Sequence, residues 1–356
     1  YDRKWVKKKL NKKKIDINKL KKIKIENALF KILSSPNQSN KSWITDQYDQ
    51  MVMCDTALRS GSDAAIIRIH NKKKAIAVSV DSSANYCKSH PLTGGKQIVC
   101  ENWRNLISVG AKPLAITNCL NFGNPESEKV MGEFVESLMG IKEACEFLNF
   151  PVVSGNVSFY NGTNKKNIFP TPVIGGVGLI KEISVPHRNS FQEIGNFVIL
   201  VGKTFGHLEL SCYLKEVYSI TEGNPPEINL INEKNNGEAV LNLINSNLVK
   251  SSHDVSAGGL IVALSEMTFG SKIGIKINKP KKLGNFNEYL FGEDQGRYIL
   301  EIDKHNISKV EKVLKINNIY YENLGTTQEN FLEIERETKI SLNDLFEINN
   351  QWYNNY

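Results

Sequence analysis

Residues 113–125 read PLAITNCLNFGNP, an apolar strand-like run that ends near Leu120 and passes into a turn rich in Asn, Gly and Pro. Residues 151–161, PVVSGNVSFYN, predict a second strand that enters a glycine turn lined with hydroxyl and amide groups. Between them, apolar residues recur at helical spacing: Val130, Phe134, Val135, Leu138, Ile141, Cys145 and Leu148. A strand, a helix and a second strand in this order indicate α/β or α+β structure.

The same alternation continues upstream of this unit. Residues 64–80 predict a β-hairpin around the turn at residues 71–74. Residues 94–109 predict a helix that ends at Gly110, and residues 25–33 predict a short amphipathic helix.

Downstream, residues 172–180 predict a strand, and the polar run at residues 184–190 around Pro186 indicates a domain boundary. The second half alternates again, with predicted strands at 197–201, 273–277, 297–302 and 331–334 and helices at 237–249, 258–268 and 307–316. We therefore expect three segments: a basic leader and linker over residues 1–42, an N-terminal domain over 43–186 and a C-terminal α/β domain over 187–356.

Charge and composition narrow the function classes. The net charge is +7, but residues 1–24 hold twelve Lys/Arg and two Asp, which is +10 and leaves −3 on the remainder. We read this segment as a solvated leader and expect neither nucleic acid nor a membrane as a partner, since no apolar run has the length of a membrane span. The chain starts at Tyr1 without a Met or a signal segment, so we expect a piece of a longer protein. Six cysteines without a CxxC pair indicate free thiols in a reducing cytoplasm.

Four polar residues stand where a folded chain could gather them around a cation. Asp81 ends an apolar strand, Glu101 and Asn105 share a helix face at a spacing of four, and Asp254 precedes a helix. Together they would form the oxygen-rich site that Mg²⁺ uses when it bridges nucleotide phosphates. The competing interpretations are an Asp that caps a helix and a Glu/Asn pair on a solvated face. Walker A and GxGxxG patterns are absent from the sequence.

The stretch SHDVSAGG at residues 252–259 leads into a predicted helix, whose N-terminal amides favour phosphate. Within it, His253 beside Asp254 suggests either acid–base catalysis or a structural hydrogen-bonding role.

Five collinear motifs resemble the large subunit of phosphoribosylformylglycinamidine synthase. They are AITNCLNFGNP (115–125), PVVSGNVSFYN (151–161), PTPVIGGVG (170–178), HDVSAGGL (253–260) and LFGEDQGRY (290–298). The resemblance covers nearly everything after residue 40. That family contains two tandem copies of an ATP-binding unit shared with aminoimidazole ribonucleotide synthetase, and this chain resembles the second copy.

The resemblance implies an N-terminal domain that forms a β-barrel with its counterpart, and so exposes an apolar sheet face here, plus an outer C-terminal α/β domain. It implies a ligase that uses ATP and Mg²⁺ to convert formylglycinamide ribonucleotide, with ammonia from glutamine, into formylglycinamidine ribonucleotide. The implied partners are the missing N-terminal half, a glutaminase subunit and a small accessory subunit. Because the family's catalytic His lies in the first copy, we expect no catalytic residue in this chain.

The same resemblance carries roles to single residues. Gly155, Asn156 and Ser158 match residues that the second copy lends to the productive site, where they contact nucleotide, Mg²⁺ and substrate. Asn118 is the predicted nucleotide contact that departs from the family, which commonly has an Asp there. The four candidate metal ligands match an auxiliary nucleotide site, in which Ser256 lies beside the nucleotide. A further departure is Ser83-Ala84-Asn85, where relatives often read Asn-Pro-Arg.

Two alternatives stay open on the sequence alone. One is a self-sufficient ATPase of the same superfamily, of the selenophosphate synthetase or hydrogenase-maturation type, acting as a homodimer. The other is a non-catalytic half whose nucleotide is purely structural.

Overall fold

A computed structural model describes residues 3–9, 15–164, 166–183, 186–279 and 285–355 of the chain. These residues form two mixed sheets with helices packed against them, which confirms the predicted α/β and α+β fold class. None of the described helices is long and apolar enough to cross a membrane.

The first sheet has six strands in the order β1-β2-β3-β8-β4-β5. The strands of this half, including the separate pair β6 and β7, are β1 (Thr56–Leu58), β2 (Ala65–Arg68), β3 (Ala75–Asp81), β4 (Lys112–Asn121), β5 (Val152–Ser158), β6 (Gly162–Thr163), β7 (Lys166–Asn167) and β8 (Thr171–Ile180). The helices up to this point are α1 (Ile25–Leu33), α2 (Ser42–Thr45), α3 (Ala84–Ser89), α4 (Pro91–Ser108) and α5 (Glu128–Leu148). Strands β4 and β5 pair in parallel, with α5 as the crossover between them.

Helices α4 and α5 pack against each other on one face of this sheet. Two glycines allow the close approach, because a Cβ at Gly95 would overlap the carbonyl oxygen of Ser137 and one at Gly140 would overlap that of Leu92. Backbone contact of this kind fixes the helix pair tightly, and α4 in turn contacts the second domain.

The second sheet has seven strands in the order β10-β12-β9-β13-β11-β14-β15. They are β9 (Phe197–Val201), β10 (Ser251–Asp254), β11 (Ile273–Ile277), β12 (Tyr298–Ile302), β13 (Tyr321–Glu329), β14 (Phe331–Ile334) and β15 (Thr338–Ser341). The helices are α6 (Leu230–Asn245), α7 (Gly259–Phe269), α8 (Phe286–Phe291), α9 (Ile307–Ile316) and α10 (Leu342–Asn354), with a π-helix at Tyr213–Val217. Residues 184–185, beside the predicted domain boundary, lie outside the described residues, and that boundary stays a prediction.

Two predicted helices have different bounds in the structure. Helix α4 starts at Pro91 rather than at residue 94, because the His90 side chain accepts a hydrogen bond from the Thr93 amide and proline is tolerated in the first turn. Helix α6 spans 230–245 rather than 237–249. Gly237 is not its start; a side chain there would overlap the ring of Trp103 on α4, so the glycine admits that ring.

The other face of the first sheet is open to solvent, as the resemblance implied. Side chains alternate along β3, where Ala75, Ala77 and Ser79 are buried while Val80 is 67% exposed. Large apolar side chains on this face are exposed on three adjacent strands: Ile67, Ile76, Val80 and Val177. Exposed apolar patches on adjacent strands are typical of interaction surfaces.

The described residues of the leader dock on the fold through their backbone, although side chains such as Trp5 and Val6 remain exposed. The Val6 amide bonds the Glu128 carbonyl at 3.1 Å, and the Lys8 amide donates to Glu136 Oε2 at 2.8 Å, so residues 3–8 lie along α5. Nearby, a Cβ at Gly132 would overlap the Val6 carbonyl oxygen, so the leader passes directly over the bare helix backbone.

Residues 15–33 dock on the second domain instead. The Ile15 amide donates to Glu209 Oε1 at 3.2 Å, and the predicted helix at Ile25–Leu33 is confirmed as α1. Its fully buried residues, Ala28, Leu29, Ile32 and Leu33, belong to the core of the second domain. The described residues of the 1–42 segment are therefore tied to both domains, and the division into three segments stays a prediction.

Gly132→Ala tests the docked leader. In the middle of a helix this change normally stabilises by about 1 kcal/mol, because Ala is the better helix former. Here we expect a lower melting temperature, since the added methyl group displaces residues 3–8. In a chain shortened by residues 1–9, the same substitution should raise the melting temperature. Stabilisation of the full chain by Gly132→Ala would show that the leader does not dock.

Candidate functional site

Asp81 lies at the end of β3 on the helix side of the first sheet and is held by three side chains. Its Oδ1 accepts a hydrogen bond from Asn105 at 2.8 Å, and its Oδ2 accepts from Asn102 at 2.7 Å and from Ser79 at 3.0 Å. Sequence reasoning missed the fully buried Asn102, although it lies between Glu101 and Asn105. The structure therefore brings Asp81 and Asn105 together as predicted.

Asp254, at the end of β10, reaches the same place from the second domain. Arg104 of α4 lies between the two domains with no exposed surface, and its Nε lies 3.4 Å from Asp254 Oδ2. The same guanidinium donates to Glu233 Oε1 at 2.9 Å and to Gln295 Oε1 at 3.0 Å. Arg104 was not predicted. The sequence pattern that points to it is an Arg within a helix whose periodic positions are otherwise apolar.

Negative charge exceeds positive charge in this region. Burial, followed by the repulsion of Asp81, raises the pKa of Glu101 to about 8. Burial, followed by the repulsion of Asp63, raises the pKa of Asp254 to about 7, and burial also raises that of Asp81. Within the described residues, the Glu101 carboxylate accepts no hydrogen bond. Two basic groups, Arg104 and His253, face the carboxylates of Asp63, Asp81, Glu101, Glu233 and Asp254, so an added cation would stabilise the ionised site.

The most compact group of potential metal ligands in the described chain is Asp63, His253 and Asp254, whose ligand atoms lie within 4.8 Å of one another. Among the described residues, the carboxylates of the predicted set, Asp81, Glu101 and Asp254, do not form a group as compact as this. However, both ring nitrogens of His253 are engaged, Nδ1 with Asp63 at 2.6 Å and Nε2 with Glu266 at 3.0 Å. Burial opposes protonation, but Asp63 raises the pKa of His253 well above its usual value. Both ring nitrogens of His253 thus face carboxylates that already engage them, which favours its structural role.

The predicted phosphate-binding turn has a different environment from the one expected. Gly258 and Gly259 both have positive φ, and Gly259 N bonds the Ser256 carbonyl at 3.1 Å. The Gly258 amide, however, already donates to Glu293 Oε1 at 2.7 Å. The other oxygen of Glu293 accepts from Tyr86 of the first domain at 2.8 Å. A carboxylate therefore already occupies the Gly258 amide, and Ser256 follows Asp254 by two residues in the sequence.

The remaining predicted residues divide between the two faces of the first sheet. Asn156 and Ser158 pair with Cys119 and Asn121 and lie on the open face. Asn118 and Gly155 lie on the opposite, helix face, where a Cβ at Gly155 would overlap the Asn118 side chain. The structure therefore does not bring Asn118 together with Asn156 and Ser158.

Both halves of the chain match domains of one protein family. Residues 61–180 match the N-terminal domain of AIR synthase related proteins, and residues 193–334 match the C-terminal domain. The chain belongs to this AIR synthase related family.

Within that family, the chain is similar to the PurL subunit of phosphoribosylformylglycinamidine synthase. It is 54% identical to PurL of Pelagibacter ubique over 100% of this chain and 49% of that protein. The structure resembles Thermotoga maritima PurL complexed with ATP, with a TM-score of 0.71 and 16% identity over 90% of this chain and 52% of that chain. It also resembles Thermotoga maritima PurL complexed with FGAR, with a TM-score of 0.71 and 14% identity over 90% of this chain and 53% of that chain. The chain spans about half the length of the curated relatives it matches.

The raised carboxyl pKa values predict an unusual pH dependence in EDTA. Between pH 5 and 8 the folded chain keeps protons on Glu101 and Asp254 that the unfolded chain has released, so the free energy of unfolding should fall as the pH rises. The slope should approach roughly 1.4 kcal/mol per pH unit for each retained proton. Urea unfolding at several pH values measures it.

Glu101→Gln should reduce that slope, because Gln keeps the shape and cannot ionise. Glu238→Gln, on the exposed face of α6, is the matched control and should leave the slope unchanged. An identical slope in Glu101→Gln and the unmodified chain would contradict the charge assignment.

Proposed function

We propose that this chain is the second half of a phosphoribosylformylglycinamidine synthase. The whole enzyme would use ATP to join ammonia derived from glutamine to formylglycinamide ribonucleotide in purine biosynthesis. The observation that carries the proposal is 54% identity to a PurL subunit over the entire chain. The glutaminase subunit, the small accessory subunit and a cytoplasmic location belong to the same proposal.

The auxiliary nucleotide site in this proposal uses Asp81, Glu101, Asn105 and Asp254 as Mg²⁺ ligands, with Ser256 beside the nucleotide. The residues fit such an ion because their carboxylates outnumber the buried guanidinium, and because Glu101 has no hydrogen-bond donor among the described residues. When bound, Mg²⁺ would supply positive charge against that of the nucleotide phosphates. In this proposal the residues would orient and hold the nucleotide.

The open face of the first sheet is the proposed contact with the missing half. Its apolar part lies on β2, β3 and β8, and its polar part lies on β4 and β5, where Thr117 and Ser154 hydroxyls meet at 2.7 Å. In the proposal, the other half covers the apolar part, and Asn156, Ser158 and the Gly155 backbone contribute to the productive site. Asn118 would then act from the helix side, behind Gly155.

Asp254→Asn tests the auxiliary site. Binding of Mg-ADP should stabilise the fold by mass action, by roughly 2.7 kcal/mol at a hundredfold excess over the dissociation constant. The substitution should weaken both the binding and the stabilisation, because it removes a charged ligand. Lys312→Asn, on the exposed side of α9, should change neither. Calorimetry and thermal melting measure these effects. If Mg-ADP leaves the melting temperature of the unmodified chain unchanged, the proposed site is contradicted.

The proposed half-enzyme should be inactive alone, because a site divided between two halves lacks its preorganised groups. Mixing the chain with the N-terminal half of Pelagibacter ubique PurL should produce a complex and product from ATP, ammonia and formylglycinamide ribonucleotide. Product formation by the chain alone would show that catalytic residues have been missed.

Val80→Glu should abolish that complex, because it places a charge in the apolar part of the open face. The control is Ile316→Glu, since Ile316 is 69% exposed at the end of α9, away from the sheet. Size-exclusion chromatography distinguishes the two. If both variants form the complex to the same extent, the open face is not the contact surface.

A further inference from the structure

Asp63 connects the first domain to the metal candidates of the second. It lies in the loop before β2, and its side chain is only 3% exposed. Its Oδ1 lies 2.6 Å from His253 Nδ1, and its Oδ2 accepts the Asp254 amide at 3.3 Å. One carboxylate therefore holds two consecutive residues at the end of β10.

The other side of His253 is fixed as well. Its Nε2 lies 3.0 Å from Glu266 of α7, so His253 joins the Asp63 loop to the helix that follows Ser256. Meanwhile, the Asp254 carboxylate contacts Arg104 at 3.4 Å. Asp254 is thus held at its backbone by Asp63 and at its side chain by Arg104, and both of these groups belong to the first domain.

We propose that Asp63 is a positioning residue of the nucleotide site, which places Asp254 for its metal ion. This inference rests on the proposed function. Asp63 acts through Asp254, because both of its own oxygens are already engaged by His253 and by the Asp254 amide. Its hydrogen bonds hold the Asp254 backbone in place, and outer-shell groups of this kind orient the ligands of a metal ion.

The test separates metal-dependent from metal-independent binding. ADP affinity is measured by calorimetry in Mg²⁺ and in EDTA for the full chain, for Asp63→Asn and for Glu266→Gln. Asp63→Asn keeps the size of the side chain but loses the charge and one acceptor. We expect it to lose tenfold or more of the affinity gained from Mg²⁺, with little change in EDTA. Glu266→Gln also alters the surroundings of His253 but does not touch Asp254, so it should keep the full gain.

The outcomes distinguish the two proposals. An unmodified chain that gains no affinity from Mg²⁺ overturns the nucleotide site, and the role of Asp63 with it. If the unmodified chain gains ADP affinity from Mg²⁺ and Asp63→Asn gains as much, only the role of Asp63 is overturned. An equal loss in Asp63→Asn and Glu266→Gln also overturns it, because the effect would then come from His253. If Asp63→Asn does not fold, Asp63→Glu keeps the charge and shifts it by one methylene, and the same criteria apply.

Discussion

The buried guanidinium of Arg104 is the constraint on which the rest of this structure depends. It lies on α4 of the first domain and contacts Glu233 and Asp254 of the second, all with almost no exposed surface. Breaking such a pair costs roughly 3–5 kcal/mol, because the remaining charge stays buried without a partner. The domains therefore cannot separate or rotate freely, and the acidic residues on either side of their contact keep a fixed relation to one another.

This arrangement gives the first sheet two different faces. Its helix face, with Asp81, looks toward the second domain and the acidic site, while its open face carries apolar strands and a polar row with Asn156 and Ser158. The two proposed sites can coexist because a single sheet separates them. The nucleotide site lies inside this half, and the shared site lies between the two halves. The leader, which contacts both α5 and the second domain, adds a second connection between the two domains.

Local patterns predicted much of the fold. The strands at Phe197–Val201 and Ile273–Ile277 and the helix at Ile307–Ile316 have the predicted bounds, because their apolar periodicity is strong. The metal candidates were also predicted, from strand ends and helix spacing. Asp63 was not, since its contact with His253 joins residues 190 positions apart, which no local pattern reveals. The leader was misread because its lysines conceal well-spaced apolar residues, among them Ile15 and Leu20, that pack on the second core.

Strand β5 forms one edge of the first sheet, and its residues 152–157 are all exposed. An uncovered edge beside an apolar face is a template for pairing with other chains, so this surface is an aggregation hazard in an isolated half. A polypeptide that carried both halves would hold the complementary sheet at an effective concentration in the millimolar range, far above that of any stray strand. Covalent linkage would then serve solubility as much as catalysis.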